Sequence, residues 1–388
     1  MTADARGLRA IGHSGLGGHG DGMQVLRHGD ALYVGHAGTS GAGTSILDVA
    51  DPRTPRLVRQ WPAPPRTHTH KVQAAGGLLL VNEEQFPLGG EPDDGEHRGV
   101  AVYGLADPFA PRRLGTWRCG GRGAHRIVHT GGRYAYLSAT PAGFTDRIWV
   151  VLDLADPAAP TEAARWWWPG QGPGETPAWP GGERYAAHHA LLDGTRAYLG
   201  YGDANLVVLD VADPARPRRI GGAAWYGGDT HTCLPLTPRP LLVCADEQVR
   251  PEPGAPERRI RVLDVTDPGT PRVVAVCPAP DAAYACDGMR FGPHNLHENR
   301  PGTYRSDSLV FATYFSAGLR VYDLADPARP AEVAHWVPEP PAGQRAAQLN
   351  DLLVEENGLI WVTDRVGGGV YALEPEPGLS RLMAERAQ

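Results

Sequence analysis

One seven-residue phrase recurs along this chain at a nearly constant spacing, and it constrains the fold more than any other feature. It reads Val-Leu-Asp-Val-Ala-Asp-Pro at 208–214, and the Asp of its closing Asp-Pro pair recurs at steps of 49 to 59 residues. The six copies are Ile46–Pro52, Val102–Pro108, Val151–Pro157, Val208–Pro214, Val262–Pro268 and Val321–Pro327. Val370–Pro375 is a degenerate seventh copy. Repetition at this period indicates one supersecondary unit used seven times.

The pattern within each unit predicts strands. Apolar segments such as Ala197–Tyr201 alternate with β-branched segments that end in Asp-Pro turns, and no 3.6-residue periodicity supports a helical solenoid. Four short strands per unit are typical of propeller blades around a central channel. The sequence therefore predicts an all-β protein, a seven-bladed β-propeller with a histidine-lined central channel, in one domain over residues 1–388.

The repeat also predicts the blade boundaries. The expected blades cover residues 19–61, 66–117, 122–168, 184–226, 229–277, 288–337 and 346–375. The N-terminal segment 7–12 resembles the outer-strand segment 217–221, so we expect it to complete the last blade and remove an exposed sheet edge. The tail Leu379–Gln388 could instead occupy that place as a short helix or an outer strand.

Composition excludes several classes of function. The formal net charge is -7 and Lys71 is the single lysine, so a basic nucleic-acid footprint is absent. No apolar leader or membrane span is recognisable, and we expect a cytoplasmic protein without a membrane partner. The five cysteines show no CxxC spacing, which favours reduced thiols over disulfides or a zinc ribbon. The sequence does not indicate an oligomeric state.

Histidines near the start of successive units are the strongest functional signal. In several units the histidine precedes the next strand by eight or nine residues, so ring closure would bring these side chains to one channel mouth. The predicted metal ligands are His70, His125, His188, His231 and His294, with His68 and His189 as substitutes. Any one of them alone could be a hydrogen-bonded residue without a ligand role.

Several neutral imidazoles at one point suit iron or copper, and manganese or zinc less well. Since no thiolate pair accompanies them, an open catalytic site is more natural than a closed structural one. Alternatively, these histidines could serve only to pack the starts of the strands.

A second group of residues could supply proton transfer or nucleophilic chemistry. Glu298 and His297 follow His294 closely and are predicted to orient a ligand imidazole or relay a proton. Cys233 lies two residues after His231, so strand alternation predicts that both face the channel, with Cys233 as a nucleophile or soft ligand. Alternation would turn Lys71 away from the axis. Glu83, Glu84 and Glu247 are further candidates, and solvent-facing carboxylates are the alternative for all of them.

The repeated phrases, together with Gly20–Gln24, Thr230–Pro235 and Gly292–Gly302, resemble the LVIVD-repeat family of bacterial propellers. A more distant similarity is to the selenium-binding protein or methanethiol oxidase propellers. This second resemblance implies a histidine-bound metal, copper in bacterial members, that supports oxidation of a small thiol, although the cysteine motif of that group is not matched here. Carotenoid-cleaving oxygenases and oligogalacturonate lyases are analogies of architecture only.

Three functions follow from these observations. The first is a metal-dependent oxidoreductase that uses O2 and mononuclear iron or copper on a small-molecule substrate. The second is a metal-assisted lyase or hydrolase that uses the same histidines. The third is a non-catalytic propeller scaffold for a partner.

Overall fold

The computed structural model describes residues 4–87, 95–249 and 258–388, and strands dominate this part of the chain. In chain order the strands are β1 (Asp4–Arg6), β2 (Leu8–Ser14), β3 (Gly22–His28), β4 (Ala31–His36), β5 (Ala42–Asp48), β6 (Arg56–Pro62), β7 (Thr67–His68), β8 (Val72–Ala75), β9 (Leu78–Gln85), β10 (Gly99–Gly104), β11 (Arg112–Arg118), β12 (Gly123–Val128), β13 (Tyr134–Thr140), β14 (Ile148–Asp153), β15 (Thr161–Trp166), β16 (Tyr185–Asp193), β17 (Arg196–Gly202), β18 (Leu206–Asp210), β19 (Arg218–Ala223), β20 (Thr230–Pro235), β21 (Leu241–Asp246), β22 (Ile260–Asp264), β23 (Arg272–Val276), β24 (Leu309–Thr313), β25 (Leu319–Asp323), β26 (Ala331–Val337), β27 (Leu349–Val354), β28 (Ile360–Asp364) and β29 (Gly369–Pro375). One α-helix, α1, covers Pro377–Arg386, and two 3₁₀ turns cover Leu16–Gly18 and Ala282–Tyr284. The predicted all-β class is confirmed.

Antiparallel sheets follow one another along the chain. Three of them have four strands each, in the orders β3-β4-β5-β6, β1-β26-β25-β24 and β2-β29-β28-β27. Two larger sheets run β11-β10-β9-β12-β13-β14-β15 and β19-β18-β17-β20-β21-β22-β23, with β7 and β8 paired to β9 and β16 paired to β17. Parts of the predicted blades 66–117 and 229–277 fall on residues 88–94 and 250–257, which lie outside the described residues.

Each larger sheet is two groups of strands joined at one residue pair. The eight-stranded sheet is two groups of four, and in the nine-stranded sheet one group has β7 and β8 as two short strands beside β9. β12 meets β9 only at the pair Gly123 and Glu84, and β20 meets β17 only at Thr230 and Gly202. Within each group the strands pair over several residues, for example from Tyr134 to Ala139 along β13. The repeating unit is therefore a four-stranded antiparallel sheet.

The recurring Asp-Pro phrase folds as a specific turn. In all six copies the Asp before Pro accepts a hydrogen bond from the backbone N–H two residues later, as Asp51 does from Arg53 at 3.0 Å. The acceptors are Asp51, Asp107, Asp156, Asp213, Asp267 and Asp326. Such Asx turns reverse the chain locally, so the phrase ends the third strand of each unit and leads into the fourth.

Both chain ends join late sheets. β2 pairs with β29 from Leu8 opposite Pro375 to Ser14 opposite Val370, and β1 pairs with β26. Of the two structures left open for the tail, the helix is the one observed, because Leu379 and Met383 of α1 are buried in a cluster that includes Leu8. No described helix has the length and apolar character that crossing a membrane requires.

The apolar core lies between neighbouring sheets. One cluster combines Val34 of β4, Leu79 of β9 and Trp361 of β28, which belong to three different sheets. Alternating side chains of each strand point to opposite faces, so a sheet can pack against a neighbour on each face, as the sheet of β4 does. This arrangement places the first strands of the units side by side.

Candidate histidine site

Six imidazoles form a continuous row in the structure. The centroids of neighbouring rings are 3.6 to 4.9 Å apart. In order the row contains His68, His70, His125, His188, His231 and His294. The five histidines predicted as metal ligands therefore come together, and His68 joins them.

The row lines a cavity of about 440 Å³. Other lining side chains are charged, and they include Lys71, Glu84, Glu247, Arg147 and Arg365. The histidines come from β7, β12, β16, β20 and the segments next to β8 and β24, so residues more than two hundred positions apart share one cavity.

Local irregularities in the strands aim the rings at the cavity. On β12 the pairing steps from Ala124 to Arg126 while the partner strand advances by one residue, so His125 is the extra residue of a bulge. His231 is the extra residue of β20 in the same way, and the register of β16 also shifts before His189. A β-bulge redirects a side chain and is common next to functional sites.

Hydrogen bonds set the orientation and the tautomer of two rings. His125 Nδ1 donates to Glu84 Oε2 at 2.8 Å, and His294 Nδ1 donates to the carbonyl oxygen of Asn350 at 2.6 Å. Because these oxygens can only accept, the lone pair of each ring resides on Nε2. This is the arrangement that orients metal-binding histidines in proteins. His125 Nε2 lies 3.0 Å from His188 Nε2, so the two nitrogens share one small region.

Three ring nitrogens of the row are buried without a hydrogen-bond partner among the described residues. They are His70 Nε2, His188 Nδ1 and His231 Nε2. A buried polar atom without a partner costs about 1–3 kcal/mol. Two groups place their ligand atoms within 4.8 Å of one another: His68, His70 and Glu84 form one, and His188, His231 and Glu247 form the other. Either group could hold an ion.

Burial keeps the imidazoles of His125, His188, His231 and His294 neutral. Burial first, and the neighbouring imidazoles and arginines after it, hold the pKa values of His125, His188 and His231 well below the usual range. Burial also lowers the pKa of His294 to about 3. Although burial opposes it, the surrounding His294, Arg290 and Arg365 lower the pKa of Glu247 to about 2. Neutral imidazole and ionised carboxylate are the forms that bind metals.

A comparison with known families identifies the repeat. Residues 190–222, which include the end of β16, all of β17 and β18 and most of β19, match the LVIVD repeat model. The chain contains an LVIVD repeat. The predicted LVIVD resemblance is confirmed. No curated protein matches the chain, and the similarity to selenium-binding protein propellers stays a prediction.

The structure places Glu298 and His297 away from the imidazole row. Glu298 forms ion pairs with Arg126 at 3.0 Å and His189 at 3.1 Å, in a buried group that also includes Arg300. His297 donates from Nε2 to the Tyr304 carbonyl oxygen at 2.8 Å and accepts at Nδ1 from a backbone N–H. Both nitrogens of His297 are thus engaged in holding the fold, and neither residue lines the cavity.

The expected orientations of Cys233 and Lys71 are corrected by the bulges. Cys233 is fully buried in a sheet, with its Sγ 3.1 Å from Cys244 Sγ. Because His231 is the extra residue of the bulge, residues two apart no longer share a face there. Lys71, expected to turn away, lines the cavity, and burial lowers its pKa to about 7.

Only part of the acidic and basic lining was expected. Glu84 and Glu247 line the cavity, whereas Glu83 pairs with His97 and Arg113 outside it. Sequence reasoning missed the cavity arginines: Arg122, Arg147, Arg184, Arg290 and Arg365. A usable signal was their position, since Arg147 directly precedes β14 and Arg365 directly follows β28.

Proposed function

We propose that the chain is a closed seven-bladed β-propeller that binds one metal ion at its channel histidines and acts as a metal-dependent oxidoreductase on a small organic molecule. Hydrogen bonds between the first and last sheets support closure. The backbone N–H of Val25 on β3 donates to Asp351 Oδ2 on β27 at 3.1 Å, and Thr363 Oγ1 on β28 donates to the Met23 carbonyl oxygen at 2.5 Å. The pairing of β2 with β29 supplies the fourth strand of the last blade.

The buried imidazole nitrogens that lack partners carry the metal-site proposal. His231 Nε2 lies 3.8 Å from Glu247 Oε2, and His294 Nε2 lies 3.6 Å from Glu247 Oε1. We assign His125, His188, His231 and His294 as the ligand set, with Glu247 beside them. Within this set His188 Nδ1 and His231 Nε2 are buried without a partner, at a cost that a bound cation would offset.

His70 has a different place in this proposal. Asn82 Oδ1 accepts from the Lys71 backbone N–H at 2.7 Å, so the Asn82 amide nitrogen faces His70 Nδ1 at 3.1 Å and donates to it. The proton of the His70 ring is then on Nε2, which points into the cavity as a donor. His70 would hold a substrate oxygen in this arrangement, while the other rings hold the ion.

Iron or copper at these ligands would supply oxidation chemistry with O2 as the oxidant. The chain's own residues position the rings, exclude bulk water by burial and provide polar groups for the substrate. Glu84 fixes His125, and Asn350 fixes His294. Manganese or zinc would suit the alternative chemistry better.

The metal-assisted lyase or hydrolase is the second candidate, and Lys71 is the observation that favours it. Its amine lines the cavity, and its pKa is lowered to about 7 by burial. A base with a pKa near the working pH is efficient in proton transfer. Turnover without O2 would favour this candidate over the oxidoreductase.

Elemental analysis of the purified protein tests the site. We expect roughly one iron or copper ion per chain in the wild type and less than about 0.2 in H231A and H294A, because each variant removes one ligand. His28 is half-buried and lies outside the histidine cavity, so H28A is the matched control and should retain the ion. A wild type without stoichiometric metal after metal-supplemented expression would leave only the scaffold function.

A further inference from the structure

The histidine cavity is cationic although the whole chain is acidic. Six lysine and arginine side chains line it, against three carboxylates. The cations are Lys71, Arg122, Arg147, Arg184, Arg290 and Arg365, and the carboxylates are Glu84, Asp146 and Glu247. With neutral imidazoles the lining has an excess of positive charge, whereas the chain has a formal net charge of -7.

The three carboxylates are already engaged. Asp146 forms ion pairs with Arg184 at 2.7 Å, and Glu247 forms one with Arg290 at 2.5 Å. Glu84 Oε2 accepts from two imidazoles. The carboxylates therefore do not neutralise the remaining cations of the cavity.

Arg147 and Arg365 are two cavity cations with little compensation. Arg147 Nε is buried without a hydrogen-bond partner, and the nearest carboxylate oxygen in its ion pair with Asp146 is 3.9 Å away. Arg365 donates to Asn350 Oδ1 at 3.3 Å and forms no ion pair within the described part of the chain. Burial, together with neighbouring guanidinium groups, lowers the pKa of each to about 10. Buried charge without a counter-ion is costly.

The two guanidinium groups belong to different sectors of the cavity. Arg147 directly precedes β14, in the same sheet as His125. Arg365 follows β28, in the last sheet, where Asn350 is the extra residue of the bulge and no imidazole joins the row. An anion held by Arg365 would thus face the imidazoles from a sheet that contributes no imidazole to the row.

We propose that this cavity binds a small organic carboxylate, with Arg147 and Arg365 as its anchoring residues. The inference rests on the proposed function, since it names the substrate class of the same site. Guanidinium groups pair with planar carboxylates through two parallel hydrogen bonds. A phosphate is usually held by several donors that converge on it, often at a helix N-terminus, whereas these two arginines come from separate sheets. The cavity volume of about 440 Å³ suits a small molecule.

Isothermal titration calorimetry with malonate tests the proposal on the purified protein, before and after removal of metal with a chelator. Malonamide is the uncharged comparison, and inorganic phosphate is the competing anion. We expect saturable malonate binding in both preparations and no malonamide binding. R147M and R365M should each weaken malonate binding at least about tenfold, because each removes a charge-assisted pair.

Matched variants separate recognition from folding. Arg329 is exposed and pairs with Asp326, so R329M should bind malonate like the wild type. R147K and R365K retain the charge but lose the planar guanidinium group. We expect both variants to fold with a melting temperature near that of the wild type. They should bind malonate more weakly than the wild type does. Equal binding of malonate and malonamide, or unchanged affinity in both methionine variants, would overturn the proposal. Tighter binding of phosphate than of malonate would overturn the carboxylate class.

Metal content measured on the same samples distinguishes the two proposals. Absence of metal from a protein that still binds malonate through Arg147 and Arg365 would contradict only the metal site. Malonate binding that requires the ion and ignores both arginines would contradict only the carboxylate anchors.

Discussion

Glu84 shows how one side chain can organise two imidazoles. Its Oε2 lies 2.6 Å from His68 Nε2 and 2.8 Å from His125 Nδ1, and the carboxylate is buried. A carboxylate in this position fixes the ring orientation and makes the opposite nitrogen a better ligand. The neighbouring Glu83 serves a different purpose, since it binds His97 and Arg113. Glu83 and Glu84 are adjacent on β9 but have different roles: Glu84 orients imidazoles of the cavity, and Glu83 holds the fold together.

The E84Q variant tests this role. Glutamine keeps the shape of the side chain but removes its negative charge, so the oxygen that His68 and His125 share becomes a weaker acceptor. We expect metal affinity to fall by about 10- to 100-fold, measured by competition with a chromogenic chelator. E83Q is the control and should keep the wild-type affinity. An equal loss in both variants would assign the effect to general destabilisation of β9.

At the scale of elements, two glycines let the histidine-bearing segments lie very close to neighbouring strands. A Cβ placed on Gly35 of β4 would lie 2.6 Å from the His70 carbonyl carbon, and one placed on Gly200 of β17 would lie 2.5 Å from the His231 carbonyl oxygen. Backbone atoms cannot yield as a flexible side chain can. Glycine at these positions therefore allows the segments bearing His70 and His231 to pack directly against β4 and β17, respectively.

Substitution of Gly200 tests that dependence. In G200A the added methyl group must displace the β20 backbone at His231, so we expect a loss of about 1–3 kcal/mol in the free energy of unfolding. Metal content should fall with it. Gly181 has open space around its Cβ position, so G181A is the matched control and should change neither quantity. Chemical denaturation and elemental analysis measure the two effects, and wild-type metal content in a destabilised G200A would refute the link to His231.

At the scale of the whole molecule, the buried imidazoles make stability depend on pH. Burial lowers the pKa values of His189 and His297 to about 4 and that of His294 to about 3, against about 6.5 in an unfolded chain. Below pH 6.5 these imidazoles are therefore protonated in the unfolded state but stay neutral in the folded state. The free energy of unfolding decreases as the pH decreases. Raised carboxyl pKa values, about 6 for Asp229, Asp246 and Asp351, act in the opposite direction, but the histidines with lowered pKa values are more numerous.

His297 provides a measurable share of this acid sensitivity. We expect the free energy of unfolding of the metal-stripped protein to fall between pH 7.5 and 4.5. In H297Q the fall should be smaller by about 2 kcal/mol, because each pH unit between the folded and unfolded pKa values is worth about 1.4 kcal/mol. Urea titrations at several pH values measure both quantities. A difference between wild type and H297Q that is constant across this range would contradict the assigned pKa of His297.

The amino-acid sequence by itself determined the repeating unit and the strand-rich class. Asx turns such as the one at Asp51 depend on atoms two residues apart, so the Asp-Pro phrase predicts them without knowledge of the fold. The constant spacing of histidine to the next strand also predicted which imidazoles gather, because repeat-equivalent residues occupy equivalent places. These inferences succeed because the interactions behind them are local or periodic.

Only the tertiary structure decided which side chains turn toward the cavity. The bulge at His231 reversed the expected faces, so Cys233 entered the sheet core. The cavity arginines come from separate parts of the chain, and although Arg147 and Arg365 adjoin strand ends, that position does not tell which cavity they line. A single extra residue in a strand changes the face of every side chain beyond it. Whether the extra residue fits depends on the packing of the neighbouring strand, as at Gly200. This packing does not exist until the chain has folded.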